Sequence, residues 1–95
     1  MAKKKAIAFD PVEFLNDAES QRELLEDAFS TGERAYIADA IGLVARARGM
    51  SQMARDTGVT REGLYKALSK DGDPRLSTLL SVMKALGIKL AVTPN

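Results

Sequence analysis

Apolar residues recur at helical spacing along most of this chain, and the polar residues between them supply start and stop signals for each helix. Near the beginning, Asp10-Pro11-Val12-Glu13 offers a side-chain cap, a proline at the first helical position and a glutamate at the third. This predicts a short helix carrying Phe14 and Leu15. Asn16 and Asp17 end that helix and cap a second, in which Leu24, Leu25, Ala28 and Phe29 form an apolar stripe opposite Glu19, Glu23, Glu26 and Asp27. Ser30-Thr31-Gly32 stops it. A third helix is expected over residues 33–48, with Ile37, Ala40, Ile41, Val44 and Ala47 inward and Gly49 as its C-terminal cap. Ser51 then caps a short helix reaching Thr57, Gly58 turns the chain, and Thr60 caps another that reaches Leu68. After the loop Ser69-Lys70-Asp71-Gly72, Asp73-Pro74 opens a last helix with Leu76, Leu79, Leu80, Met83 and Leu86 on one side and Gly87 at its end.

The tail departs from this period. Ile88 to Thr93 alternates like a strand and Pro94 terminates it, so a short C-terminal β-strand is expected in an otherwise all-α chain. A lone strand needs a partner for its backbone groups. The extended segment Ala6 to Phe9, the same strand of a second subunit, or a sheet edge of another protein could each supply one; a second chain is favoured, pairing through Ile88 to Val92.

Ninety-five residues suffice for one domain, read here as residues 10–95 behind a flexible basic arm of residues 1–9 that contains Lys3, Lys4 and Lys5. With 45% hydrophobic and 28% charged residues the chain falls among ordinary folded domains. There is no cysteine and no histidine. Disulfides, thiolate metal sites and the commonest general base are therefore excluded, so the chain reads as no enzyme, with no metal and no cofactor. The N-terminal apolar run is too short for an export signal, and the longest helical apolar stretch is interrupted by Asp39, Gly42 and Arg46. A soluble, cytoplasmic protein is expected. Its net charge of +1 conceals a division: residues 1–45 hold five basic and nine acidic side chains, whereas residues 46–95 hold nine basic and four acidic. Two faces meeting partners of opposite charge would produce this asymmetry, and so would ordinary solvated helix surfaces.

The segment Met50 to Leu68, M-S-Q-M-A-R-D-T-G-V-T-R-E-G-L-Y-K-A-L, carries the most chemistry. Two short helices pack at a steep angle only if a contact residue on the first is small and the turn residue accepts a positive φ, needs that Ala54 and Gly58 meet. Val59 and Leu64 plug the second helix onto the core. Thr60, Arg61, Glu62, Tyr65 and Lys66 are then left facing outward, the display that a helix-turn-helix over residues 51–68 offers to a DNA major groove. Arg61 suits guanine O6 and N7, Glu62 a cytosine amino group, and Ser51, Gln52 and Thr60 phosphate; Tyr65, Lys66 and Lys70 add backbone contacts. Gly63 is the odd residue, since glycine inside a helix costs about 1 kcal/mol relative to alanine. Either it lets the helix approach DNA closely or it is a tolerated defect. For the whole segment, the bland alternative is an αα-corner with solvated charges.

With these residues placed, the chain resembles the probable addiction-module antidote proteins, antitoxins with a Cro/repressor-type helix-turn-helix. The likeness lies in F-D-P-V-E-F-L, in I-G-L-V-A-R-A-R-G-M-S-Q-M-A-R-D-T-G-V-T-R-E-G-L-Y-K-A-L-S and in L-S-V-M-K-A-L-G-I-K-L-A-V, spanning most of residues 9–93. The resemblance implies a lambda-repressor-like bundle of five to six helices. It also implies an antitoxin that neutralises a RelE-like ribonuclease toxin and represses its own operon by binding the operator as a dimer. Under it, the DNA-reading positions are Ser51, Gln52, Thr60, Arg61, Glu62, Tyr65 and Lys66, while the toxin contacts have no motif to map. A free-standing transcriptional regulator of phage or host type is the alternative, distinguished by whether a small basic reading frame lies beside this one.

Overall fold

Pro11, with φ restricted and no amide hydrogen, begins a single 3-10 turn, Pro11–Phe14, in the computed structural model, which describes residues 11–94. Asp10 and the arm of residues 1–9 lie outside the described residues, as does Ala6 to Phe9. The turn drops Leu15 into the core and leaves Phe14 on the surface. Asp17, in extended conformation, then accepts a hydrogen bond from the Ser20 amide at 2.7 Å and starts helix α1, Ala18–Thr31. That bond holds the Asp17 carboxyl below its ordinary value. The cap's contribution is therefore complete near neutral pH and is lost as pH falls through the lowered value.

Helix α2, Arg34–Arg48, is the axis of the molecule. Ala38, Ala40, Ile41, Gly42, Val44 and Ala45 are buried along it, and the 3-10 turn, α1, α3 and α4 all pack against it. The small side chains let neighbours come close. At Gly42 the approach is closest: a Cβ there would lie 2.1 Å from the carbonyl oxygen of Leu68. Gly49 links α2 directly to α3, Met50–Thr57. Helix α4, Arg61–Ala67, follows, and α5, Leu76–Ala85, packs against α3. Ile41, Val44, Met53, Leu64 and Val82 are fully enclosed where these helices meet. Burial of each such aliphatic side chain stabilises the fold by about 1.5–3 kcal/mol.

One buried polar side chain is tied on both sides. Gln21 of α1 donates from Nε2 to the Leu15 carbonyl at 2.9 Å and accepts at Oε1 from Arg48 Nε at 2.8 Å, joining the 3-10 turn, α1 and the end of α2. Nearby, the Tyr36 hydroxyl donates to Asp27, and this bond raises the phenol above its ordinary pKa. Among the described residues, no buried side-chain nitrogen or oxygen lacks a partner, as a well-satisfied interior requires.

Five α-helices and one 3-10 turn fit the all-helical expectation, with four local differences. First, no strand occurs among the described residues, so within one chain Ile88 to Thr93 has no partner for the strand its alternation predicts. A ladder requires a second strand, and the described part of the chain contains none. Second, the helix expected to start after Ser51 starts at Met50, with no side-chain cap; Met50 is 5% exposed, and burying it brings the first turn forward by one residue. Third, α5 begins at Leu76 behind an extended Arg75, not at Asp73-Pro74. Fourth, of its expected stripe Leu79, Met83 and Leu86 pack on the core, joined there by Val82, whereas Leu76 and Leu80 are exposed.

Gly42→Ala tests the central contact. Alanine improves helix propensity by about 1 kcal/mol, but its Cβ must displace a backbone carbonyl, so the variant is expected to lose roughly 2 kcal/mol in urea unfolding. A stabilised variant would show that α4 does not approach α2 at this point.

Candidate nucleic-acid interface

Four residues build the corner between α3 and α4. Gly58 takes φ 76, ψ 9, a left-handed conformation that side chains disfavour, and its amide closes α3 by donating to the Ala54 carbonyl at 2.9 Å. The Thr57 hydroxyl donates to the Met53 carbonyl at 2.8 Å and accepts the Val59 amide at 3.2 Å, so it fastens the turn from both directions. Val59 is half-buried against the core. Thr60, extended at φ −64, ψ 156, then caps α4 by accepting the Gly63 amide at 3.0 Å.

This cap fixes which way α4 faces. Leu64 is 0% exposed, and Ala54 and Val59 pack on the same core, while Arg61, Glu62, Tyr65 and Lys66 stand on the exposed side. Arg61, Glu62 and Tyr65 together line a shallow groove. A guanidinium, a carboxylate and a phenol side by side supply fixed donors and acceptors beside an aromatic face. The Thr60 hydroxyl accepts within its own cap, which leaves its proton to donate outward.

On α3, Ser51 and Gln52 are also exposed. Gln52 is already engaged: Nε2 donates to Asp56 Oδ1 at 2.8 Å, and Oε1 accepts from Arg55 Nη2 at 2.7 Å. These two bonds use one of the two amide hydrogens and one of the two oxygen lone pairs, so the side chain is held in place and still has a donor to offer outward. Gly63 has a local explanation that neither sequence reading contained. A Cβ there would sit 3.1 Å from both Thr60 Oγ1 and Val59 Cγ1, so the missing side chain makes room for the cap and the plug beneath it.

Three contributors escaped the sequence reading. Thr57 holds a signal in retrospect, a hydroxyl just before the turn glycine. Arg55 carries another, three residues after Gln52 on one helix face. Arg34 carries none. From the first turn of α2 its guanidinium donates to the Gly72 carbonyl and, at 3.3 Å, to the Lys70 carbonyl, tying the loop behind α4 to the central helix. Partners 36 and 38 residues apart leave no local pattern.

Residues 5–94 match the family described as probable addiction module antidote protein. The chain belongs to that family. It is also similar to an uncharacterised protein from Haemophilus influenzae, 45% identical over 84 residues, covering 88% of this chain and 87% of that one. No solved structure matches. An antidote counters a toxin, so family membership implies a toxin partner of some kind. No helix among the described residues is long and apolar enough to cross a membrane.

Removing the cap should loosen the corner without altering the exposed side chains beyond it. Thr60→Ala is expected to cost about 1 kcal/mol of unfolding free energy and to speed amide exchange at Gly63 selectively. Unchanged exchange there would argue against the cap.

Proposed function

We propose that this chain is the DNA-binding antitoxin of a type II toxin-antitoxin module, a cytoplasmic helix-turn-helix protein that represses its own operon as a dimer. One observation carries the reading: the Thr60-Arg61-Glu62 edge is exposed, while Leu64, one turn along, is completely buried behind it. A short helix held in this way can enter a major groove with its first turn toward the base edges, while α3 crosses the backbone. In this reading Arg61 bonds guanine O6 and N7, Glu62 accepts from a cytosine amino group, and Tyr65 and Lys66 contact the backbone. Ser51, Gln52 and Thr60 reach phosphate, Gln52 through the amide hydrogen that its bond to Asp56 leaves over.

The toxin is assigned to the RelE-like class of small basic ribonucleases, and the acidic half of the chain to its recognition. Glu19, Glu23 and Glu26 are exposed on α1, opposite the buried Leu25 and Ala28. Such a surface favours a basic partner and speeds encounter with it. Neutralisation then covers the toxin with the acidic half while the basic half remains on the operator.

Two measurements test these assignments. Arg61→Ala should cost about 1–3 kcal/mol on the cognate operator and relax preference at one base pair, whereas Lys66→Ala should weaken all sequences alike; half-sites should lie about 34–36 Å apart or a multiple of it. Equal, sequence-independent losses for both variants would overturn the groove assignment. Reversing Glu19, Glu23 and Glu26 to lysine should slow association with the product of the adjacent toxin gene by about tenfold or more, with operator binding retained. An unchanged association rate would remove α1 from the toxin contact.

A further inference from the structure

Among the described residues six large apolar side chains are exposed, and four of them, Leu76, Leu80, Leu90 and Val92, lie on α5 and the tail that follows it. Leu80 and Leu90 are 48% and 44% exposed, and they line a shallow groove with Met83, Gly87 and Ile88, flanked by Lys84 and Lys89. The tail leaves α5 in a fixed direction. With Gly87 at φ 74, its amide donates to the Lys84 carbonyl at 3.0 Å and the Ile88 amide to the Met83 carbonyl at 2.9 Å, the bond pair that closes a helix and turns the chain away. Ile88 is half-buried against the core, whereas Val92 is fully exposed. An apolar-alternating segment with no regular secondary structure of its own therefore follows the closed end of α5, with no strand beside it among the described residues.

We propose that a second copy of this chain covers the surface, joined through an antiparallel ribbon of the two tails with its two-fold axis at Leu90. The sequence selects that register. Centred on Leu90, the ribbon sets Leu90 against Leu90 of the partner subunit and Ile88 against Val92 of the partner subunit, all on one face. Lys89 then stands opposite Ala91 of the partner subunit. An axis one residue earlier would place the two Lys89 ammonium groups directly against each other, which is destabilising. An axis one residue later would draw Pro94, which has no amide hydrogen, into the ladder opposite Ile88. The apolar face of the ribbon rests on the exposed leucines of both α5 helices, the self-complementary arrangement that a two-fold dimer requires. Residues 76–94 carry two lysines and no acidic side chain, so this end disfavours a basic partner and leaves the toxin to the acidic half.

The proposal supplies the geometry for the dimeric reading above and rests on it only for its biological purpose, because its test measures mass and cross-linking without DNA. Since the chain has no cysteine, single introduced thiols report register unambiguously. Leu90→Cys should form an interchain disulfide under mild oxidation at least about tenfold faster than Lys89→Cys or Ala91→Cys alone, because only a residue on the axis faces itself. Mixing Lys89→Cys with Ala91→Cys should yield the mixed dimer. Sedimentation of the wild-type chain at micromolar concentration should give a dimer, and Leu90→Lys a monomer with unchanged helical circular dichroism. A wild-type monomer, equal cross-linking at residues 89, 90 and 91, or a dimer that survives Leu90→Lys would each overturn the ribbon. Arg61→Ala should leave the dimer mass unchanged, so loss of operator reading and loss of the ribbon are separately visible.

Discussion

The contact between the end of α4 and the middle of α2 governs the rest of the molecule. Leu68, immediately after α4, brings its carbonyl oxygen to within 2.1 Å of where a Cβ on Gly42 would stand. Only a residue without a side chain permits that distance. The consequence extends along α4, because a helix of seven residues anchored at one end by backbone contact and enclosed at Leu64 cannot roll about its axis. Its opposite side is thereby committed to the surface, with Arg61, Glu62, Tyr65 and Lys66 upon it.

Polar ties complete what this packing begins. Thr57 and Thr60 fasten the two ends of the turn with hydroxyl-to-backbone bonds, and Arg34 reaches from the first turn of α2 to hold the loop behind α4. These bonds are individually modest, about 1 kcal/mol each. Their value lies in placement: each restrains a backbone segment that leads into or out of α4. Gln21 does the equivalent work at the other end, joining α1 to the 3-10 turn and to Arg48.

Membership of the probable addiction module antidote protein family gives this architecture a context. An antidote that also regulates its operon would need separate surfaces for toxin, nucleic acid and a second copy of itself, and the proposals above place them on different elements. Acidic α1 would meet the toxin, the α3-α4 corner the operator, and α5 with its tail the second subunit. Such separation lets one small domain meet partners of opposite charge without competition between them.

Helix periodicity, the Asp17 and Thr60 caps and the glycine turns were legible because each is encoded within about one turn of chain, where local hydrogen bonding and steric limits decide the outcome. By the same means the corner and its outward residues could be read. Long-range geometry was not legible. The glycine at position 42 read only as an interruption of the apolar stretch until the Leu68 carbonyl was found against it, Gly63 as a close approach to DNA or a tolerated defect until Thr60 and Val59 were found beside it, and Arg34 had no reading beyond the charge count until it reached Gly72. For the tail, alternation alone predicted a strand that the described chain does not form. Sequence by itself determined the local preferences and the exposed chemistry of the corner. Tertiary structure decided which close approaches use them, because contacts between residues far apart in the chain depend on the positions of whole helices.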